Sequence, residues 1–143
     1  MINRTLAAAG TFVSGLVHLW LWFDGFRDIS VVGPLFLLNA IAGVAIAVAL
    51  LAWRQWLPLF LAAGFGATTL AAFLISTTVG LFGVHEVFWG TSQVAAGIAE
   101  IVAMVAGGLG LWLENRHRLA GHRGGGSVVQ GYVDPREAGR PHA

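Results

Sequence analysis

The sequence predicts an all-α fold: an integral membrane, antiparallel four-helix bundle followed by a disordered C-terminal tail. Three observations predict it. Four apolar stretches, roughly 5–23, 31–53, 57–79 and 88–113, each come close to or exceed the ~20 residues that cross a hydrocarbon core. Hydrophobic residues make up 57% of the chain and charged ones 10%, against about 25% charged in a soluble domain. Arginines and tryptophans fall at alternating ends of the stretches, as they do at the two faces of a bilayer.

The first stretch follows Arg4. Its apolar run is too long for a signal peptide, and no small-x-small cleavage site follows near Phe23, so it reads as a retained span. Asp24-Gly25-Phe26-Arg27-Asp28 is a charged, turn-forming break. Gly33-Pro34 then suits the first turn of the second helix, because proline tolerates that position. Arg54-Gln55 separates the second and third stretches, and Pro58 opens the third. The break from Gly80 to Glu86 holds two glycines and the pair His85-Glu86. Beyond Leu113 come Arg116-His117-Arg118, Gly124-Gly125-Gly126, Pro135 and Pro141. That composition buries too little apolar area to fold alone. The chain thus divides into a transmembrane domain, 1–113, and a cytoplasmic tail, 114–143.

Direction follows from charge. Arg4, Arg54, Arg116, Arg118 and Arg123 share one side of a four-span layout, while Arg27 stands on the other between Asp24 and Asp28. The positive-inside rule puts both termini in the cytoplasm and the protein in the cell membrane. Trp20, Trp22 and Trp89 mark the outer interface; Trp53, Trp56 and Trp112 mark the inner. A net charge of +1 gives no field for nucleic acid. The absence of cysteine excludes disulfides, thiolate metal sites and cysteine nucleophiles.

Helices in lipid associate through small residues that allow close approach. Ala40, Gly43 and Ala47 supply them on the second helix, Ala62, Ala63, Gly66 and Ala67 on the third, and Ala96, Gly97, Ala103, Gly107 and Gly108 on the fourth. These residues serve equally for packing within one bundle, within a homo-oligomer or against another membrane protein.

Polar residues inside spans are costly and mark candidate sites. At 1.5 Å per residue, His18 lies roughly 8 Å below the outer end of its helix, with Asn39 at similar depth. Glu100 lies roughly 15–18 Å below Phe88, near mid-membrane. Ser76, Thr77 and Thr78 close the third helix, and Thr91, Ser92 and Gln93 open the fourth, on the same side. Thr11, Ser14, His18 and Trp22 form one stripe, and Gln93, Ala96, Glu100, Ala103 and Gly107 another, at steps of three and four. The candidate pocket is therefore His18, Asn39, Thr77, Gln93 and Glu100, opening outward, with His85 and Glu86 as a loop contribution. A proton relay from Glu100 and His18 to that loop pair is one use of it.

Metal and haem are open alternatives rather than predicted cofactors. Two histidines and two glutamates could hold zinc, iron or manganese, but no HxxxH or HExxH spacing exists, and the one ExxH, Glu114 to His117, lies in the tail. His18 and His85 are the available axial pair for a haem.

Ser14-Gly15-Leu16-Val17-His18-Leu19, Gly33-Pro34-Leu35-Phe36-Leu37-Leu38-Asn39-Ala40 and Thr78-Val79-Gly80-Leu81-Phe82-Gly83, followed by Glu86 and Glu100, together resemble small four-span membrane proteins of actinobacteria. The resemblance covers residues 5–113 and implies the topology, with no activity attached. The layout alone is similar to that of DoxX-like proteins. Two functional readings follow: a non-enzymatic accessory or interaction subunit, and an outer-facing His/Glu pocket for a metal, haem or small ligand, or for a proton-coupled transporter.

Overall fold

Lipid offers a peptide group no hydrogen-bond partner, so a chain crossing it satisfies its own backbone as helix. The computed structural model describes residues 1–80, 82, 83, 85 and 90–125, with side chains through residue 120. It contains helices α1 (Ile2–Phe23), α2 (Val32–Ala52), α3 (Trp56–Thr78) and α4 (Thr91–Gly125), with one 3-10 turn at Phe26–Asp28. Among the described residues these four helices are long and apolar enough to cross a membrane, as the sequence predicts. The chain divides into two units, Met1–Trp112 and Leu113–Ala143.

Local chemistry sets the breaks. The Asp24 amide closes α1 on Trp20 O at 2.9 Å, and Gly25 follows at φ +130°, in the left-handed region. Trp53 and Gln55 are extended between α2 and α3. The Arg4 guanidinium donates to the Trp53 carbonyl at 2.7 Å and the Gln55 carbonyl at 2.5 Å. It thereby fastens the start of α1 to a turn whose carbonyls have no helical partner.

The fourth helix differs from its expected limits. It begins at Thr91 and continues past Leu113 to Gly125, so residues 114–125 are helical rather than disordered tail. The composition change at Leu113 marks the end of an apolar surface, not of a helix. Leu, Glu, Arg and Ala dominate 113–120, and Glu114 and Arg118 stand at the i, i+4 spacing that supports an exposed helix. Phe88, Trp89, Gly126 and the prolines beyond lie outside the described residues.

Backbone approach at glycines defines three seams in the first unit. A Cβ on Gly15 would lie 3.0 Å from Ala40 O, and Gly43 sits against Thr11 and Gly15, closing α1 on α2. One on Gly10 would lie 2.7 Å from Ala103 N and Ala99 O, closing α1 on α4. Gly66 against Glu100 and Met104, with Gly107 against Leu59 and Ala63, closes α3 on α4. All three seams are antiparallel, giving the order α2–α1–α4–α3. No glycine of α2 or α3 has the other helix among its nearest neighbours.

The two ends of the unit differ. Towards the α2–α3 turn, Ala7, Ala8, Ala47, Leu50, Leu59, Ala62 and Ala106 form a buried apolar core. Towards the other end, the space between the helices is a cavity.

Gly66→Ala pushes a methyl into the α4 backbone and should cost about 1–3 kcal/mol. Gly97→Ala, where no described atom lies within 4 Å, should be neutral or gain up to about 1 kcal/mol of helix propensity. Reversible unfolding in mixed micelles measures both; equal effects would contradict the seam assignment.

Candidate functional site

The cavity holds about 390 Å³ and is lined by all four helices. Helix α1 contributes His18 and Leu21, while α2 contributes Val32, Leu35, Phe36, Leu38, Asn39 and Ala42. Helix α3 contributes Phe65, Thr68, Thr69, Ala72, Phe73 and Ser76, and α4 contributes Gln93, Ala96 and Glu100. The walls are chiefly apolar, with polar groups at a few points.

Glu100 is the deepest of these, 1% exposed. Its Oε1 accepts a long hydrogen bond, 3.4 Å, from the Ser14 hydroxyl. Its Oε2 is buried with no hydrogen-bond partner among the described residues, and the same holds for Asn39 Nδ2. A native interior rarely leaves such atoms unmet without an unseen water or ligand.

His18 is held one turn beyond Ser14. Its Nδ1 lies 2.8 Å from Ser14 O, and a carbonyl oxygen only accepts, so Nδ1 carries the proton. In the neutral ring Nε2 then presents a lone pair. It faces Glu100 Oε1 at 3.9 Å, beyond direct hydrogen-bonding reach. Phe36 meets the imidazole edge-on at 5.1 Å and stacks on Phe26 at 4.8 Å, fixing the ring from the α2 side.

The structure brings His18, Asn39, Gln93 and Glu100 to one cavity. Asn39 bonds to neither His18 nor Glu100. Thr77 is not a lining residue: its hydroxyl donates to Leu74 O at 3.0 Å, and its neighbour Ser76 faces the cavity instead. His85 is exposed beside Gly80 and does not line the cavity, and Glu86 lies outside the described residues. Among the described residues no three of His, Cys, Asp and Glu gather as a metal site.

Sequence reading left Ser14 out of the candidate set, although it lies on the His18 stripe. The signal was present in the i, i+4 step that lets a serine serve both its own helix and the next. Phe36, Phe65 and Phe73 carried no signal, because an apolar residue on an apolar helix looks the same facing lipid or cavity.

Three lining residues reach the surface. Leu38 is 62% exposed, and Leu35 and Thr68 are exposed as well. They stand on α2 and α3, so the cavity opens through the one side of the bundle that no glycine seam closes.

Comparison with family models, curated proteins and solved structures gave no match.

The Ser14–Glu100 contact can be measured by a double-mutant cycle. Ser14→Ala and Glu100→Leu should couple by about 0.5–3 kcal/mol, the range for residues in contact. Strict additivity would place the two side chains apart.

Proposed function

We propose that the protein is a multi-pass membrane protein that binds a small lipophilic molecule bearing a polar group in the cavity around His18, Asn39, Gln93 and Glu100. The observation that carries this reading is the unpartnered, fully buried Glu100 Oε2 on the wall of a cavity. A carboxyl inside a span is costly, and its cost is offset when a ligand or water meets it. The cavity's volume and mostly apolar lining with few convergent polar groups also match small-ligand sites.

Arg4 and Arg54 lie at the opposite end from the cavity, and by the positive-inside rule this end is cytoplasmic. The ligand site then occupies the outer half of the cell membrane. The exposed Leu35, Leu38 and Thr68 give a lateral route from lipid between α2 and α3. Gly10, Gly15, Gly43, Gly66 and Gly107 meet neighbours within the bundle, while Gly64, Gly97 and Gly108 have no described atom of another helix within 4 Å.

Ala72 lines the cavity from α3, so Ala72→Phe fills it. A neutral probe such as 4-phenylbutan-1-ol should raise the melting temperature of the wild-type protein by at least about 2 °C at saturation. It should do so equally for Ala45→Phe, which stands on an exposed face, and should fail for Ala72→Phe. The same stabilisation in all three would count against the cavity as the binding site.

A further inference from the structure

Every titratable side chain among the described lining residues comes from two helices, His18 from α1 and Glu100 from α4. Helix α2 faces them with Phe36 and Asn39, and α3 with Phe65, Phe73, Thr69 and Ser76; none of these carries charge. No lysine or arginine is among the described lining residues. Among the described lining residues Glu100 therefore has one neighbour able to hold a positive charge, and that neighbour stands just outside bonding distance.

The separation has a chemical meaning. Two acceptors 3.9 Å apart cannot satisfy each other when both present lone pairs. A donor nitrogen placed about 2.8 Å from each would subtend about 90°, about 20° under the tetrahedral angle between two N–H bonds and within the bend a good hydrogen bond tolerates. A carbonyl or ether oxygen has no proton to give. A hydroxyl has one and meets one acceptor. A primary ammonium has three, so it can meet Nε2 and the Glu100 carboxylate together, with a donor to spare. Its hydrocarbon body suits the apolar wall, and the Phe36, Phe65 and Phe73 rings are surfaces on which a cation is stabilised rather than repelled.

Charge balance narrows the chemistry further. With Nδ1 already carrying its proton, the buried carboxylate and imidazole are neutral overall when they hold one further proton between them. Adding a cation while keeping that proton would leave an uncompensated positive charge in a low-dielectric site, which is strongly disfavoured. Resting on the reading of the cavity as a ligand site, we propose that its ligand is a lipophilic primary ammonium that exchanges with the one proton Glu100 and His18 share beyond that on Nδ1. The exchange balances: one ammonium enters, one proton leaves to solvent, and the site stays neutral.

The test uses the full chain in lipid nanodiscs, with empty nanodiscs subtracted. It titrates 4-phenylbutylamine and 4-phenylbutan-1-ol, which differ at the polar end alone, by calorimetry from about pH 5 to about pH 8, where the amine stays charged. The amine should bind at least about tenfold tighter than the alcohol at the upper pH. Its affinity should fall by at least about tenfold toward the lower pH, while the alcohol's moves less than about threefold. E100Q should bring the amine-to-alcohol ratio near one and remove the pH dependence; if that variant does not fold, the wild-type pH comparison still decides. Equal binding of amine and alcohol, or pH-independent amine binding, overturns the cation proposal and leaves the cavity reading standing. Binding of neither probe overturns both.

Discussion

Inside a bilayer, helices gain little by hiding apolar side chains from one another, because lipid tails are as apolar as leucine. What joins them is close approach of their backbones, and that approach needs glycine. Three seams of this bundle have it, at Gly15 and Gly43, at Gly10, and at Gly66 and Gly107. The fourth, between α2 and α3, does not. A bundle closed tightly on three sides and loosely on one has surplus volume along the loose side, and the cavity lies there. Its exposed lining residues, Leu35, Leu38 and Thr68, belong to the two helices that are not drawn together.

The same seams place the polar groups. Gly10 and Gly66 bring α1 and α3 against the α4 backbone on either side of Glu100, so the carboxyl projects into the bundle rather than into lipid. Ser14 and His18 then reach it from one helix, the serine by its hydroxyl and the histidine through a ring whose tautomer its own helix sets. At the opposite end Arg4 ties α1 to the α2–α3 turn, and alanines and leucines form a buried core. The bundle has an apolar core at one end and, at the other, a chiefly apolar cavity with a few polar groups on its wall.

Much of this was legible in the sequence. Apolar run length located all four helices, and Asp24-Gly25, Gly33-Pro34 and Arg54-Gln55 punctuated them, since these residues act through local backbone geometry. The stripes through His18 and Glu100 were legible because i, i+4 spacing fixes a common face whatever the fold. Other features depend on tertiary packing. Whether Ser76 or Thr77 turns inward is a rotation of about 100°, which α3 resolves by how it seats on α4. Which leucines line a cavity depends on which seam stays open. The extension of α4 to Gly125 was missed because hydropathy reports the solvent around a helix, while propensity and i, i+4 pairs decide whether it continues.

The most direct test of the account is the distance between the Glu100 carboxyl carbon and His18 Nε2 in lipid bilayers, measured by carbon–nitrogen dipolar recoupling with isotope labels at those two residues. The carboxyl carbon is one C–O bond from an oxygen 3.9 Å from Nε2, so the distance should be no more than about 5 Å. Dephasing at that separation, with the ring proton on Nδ1, is the predicted result. Absence of a measurable coupling would mean that the two groups do not share a cavity, and would contradict the account at its centre.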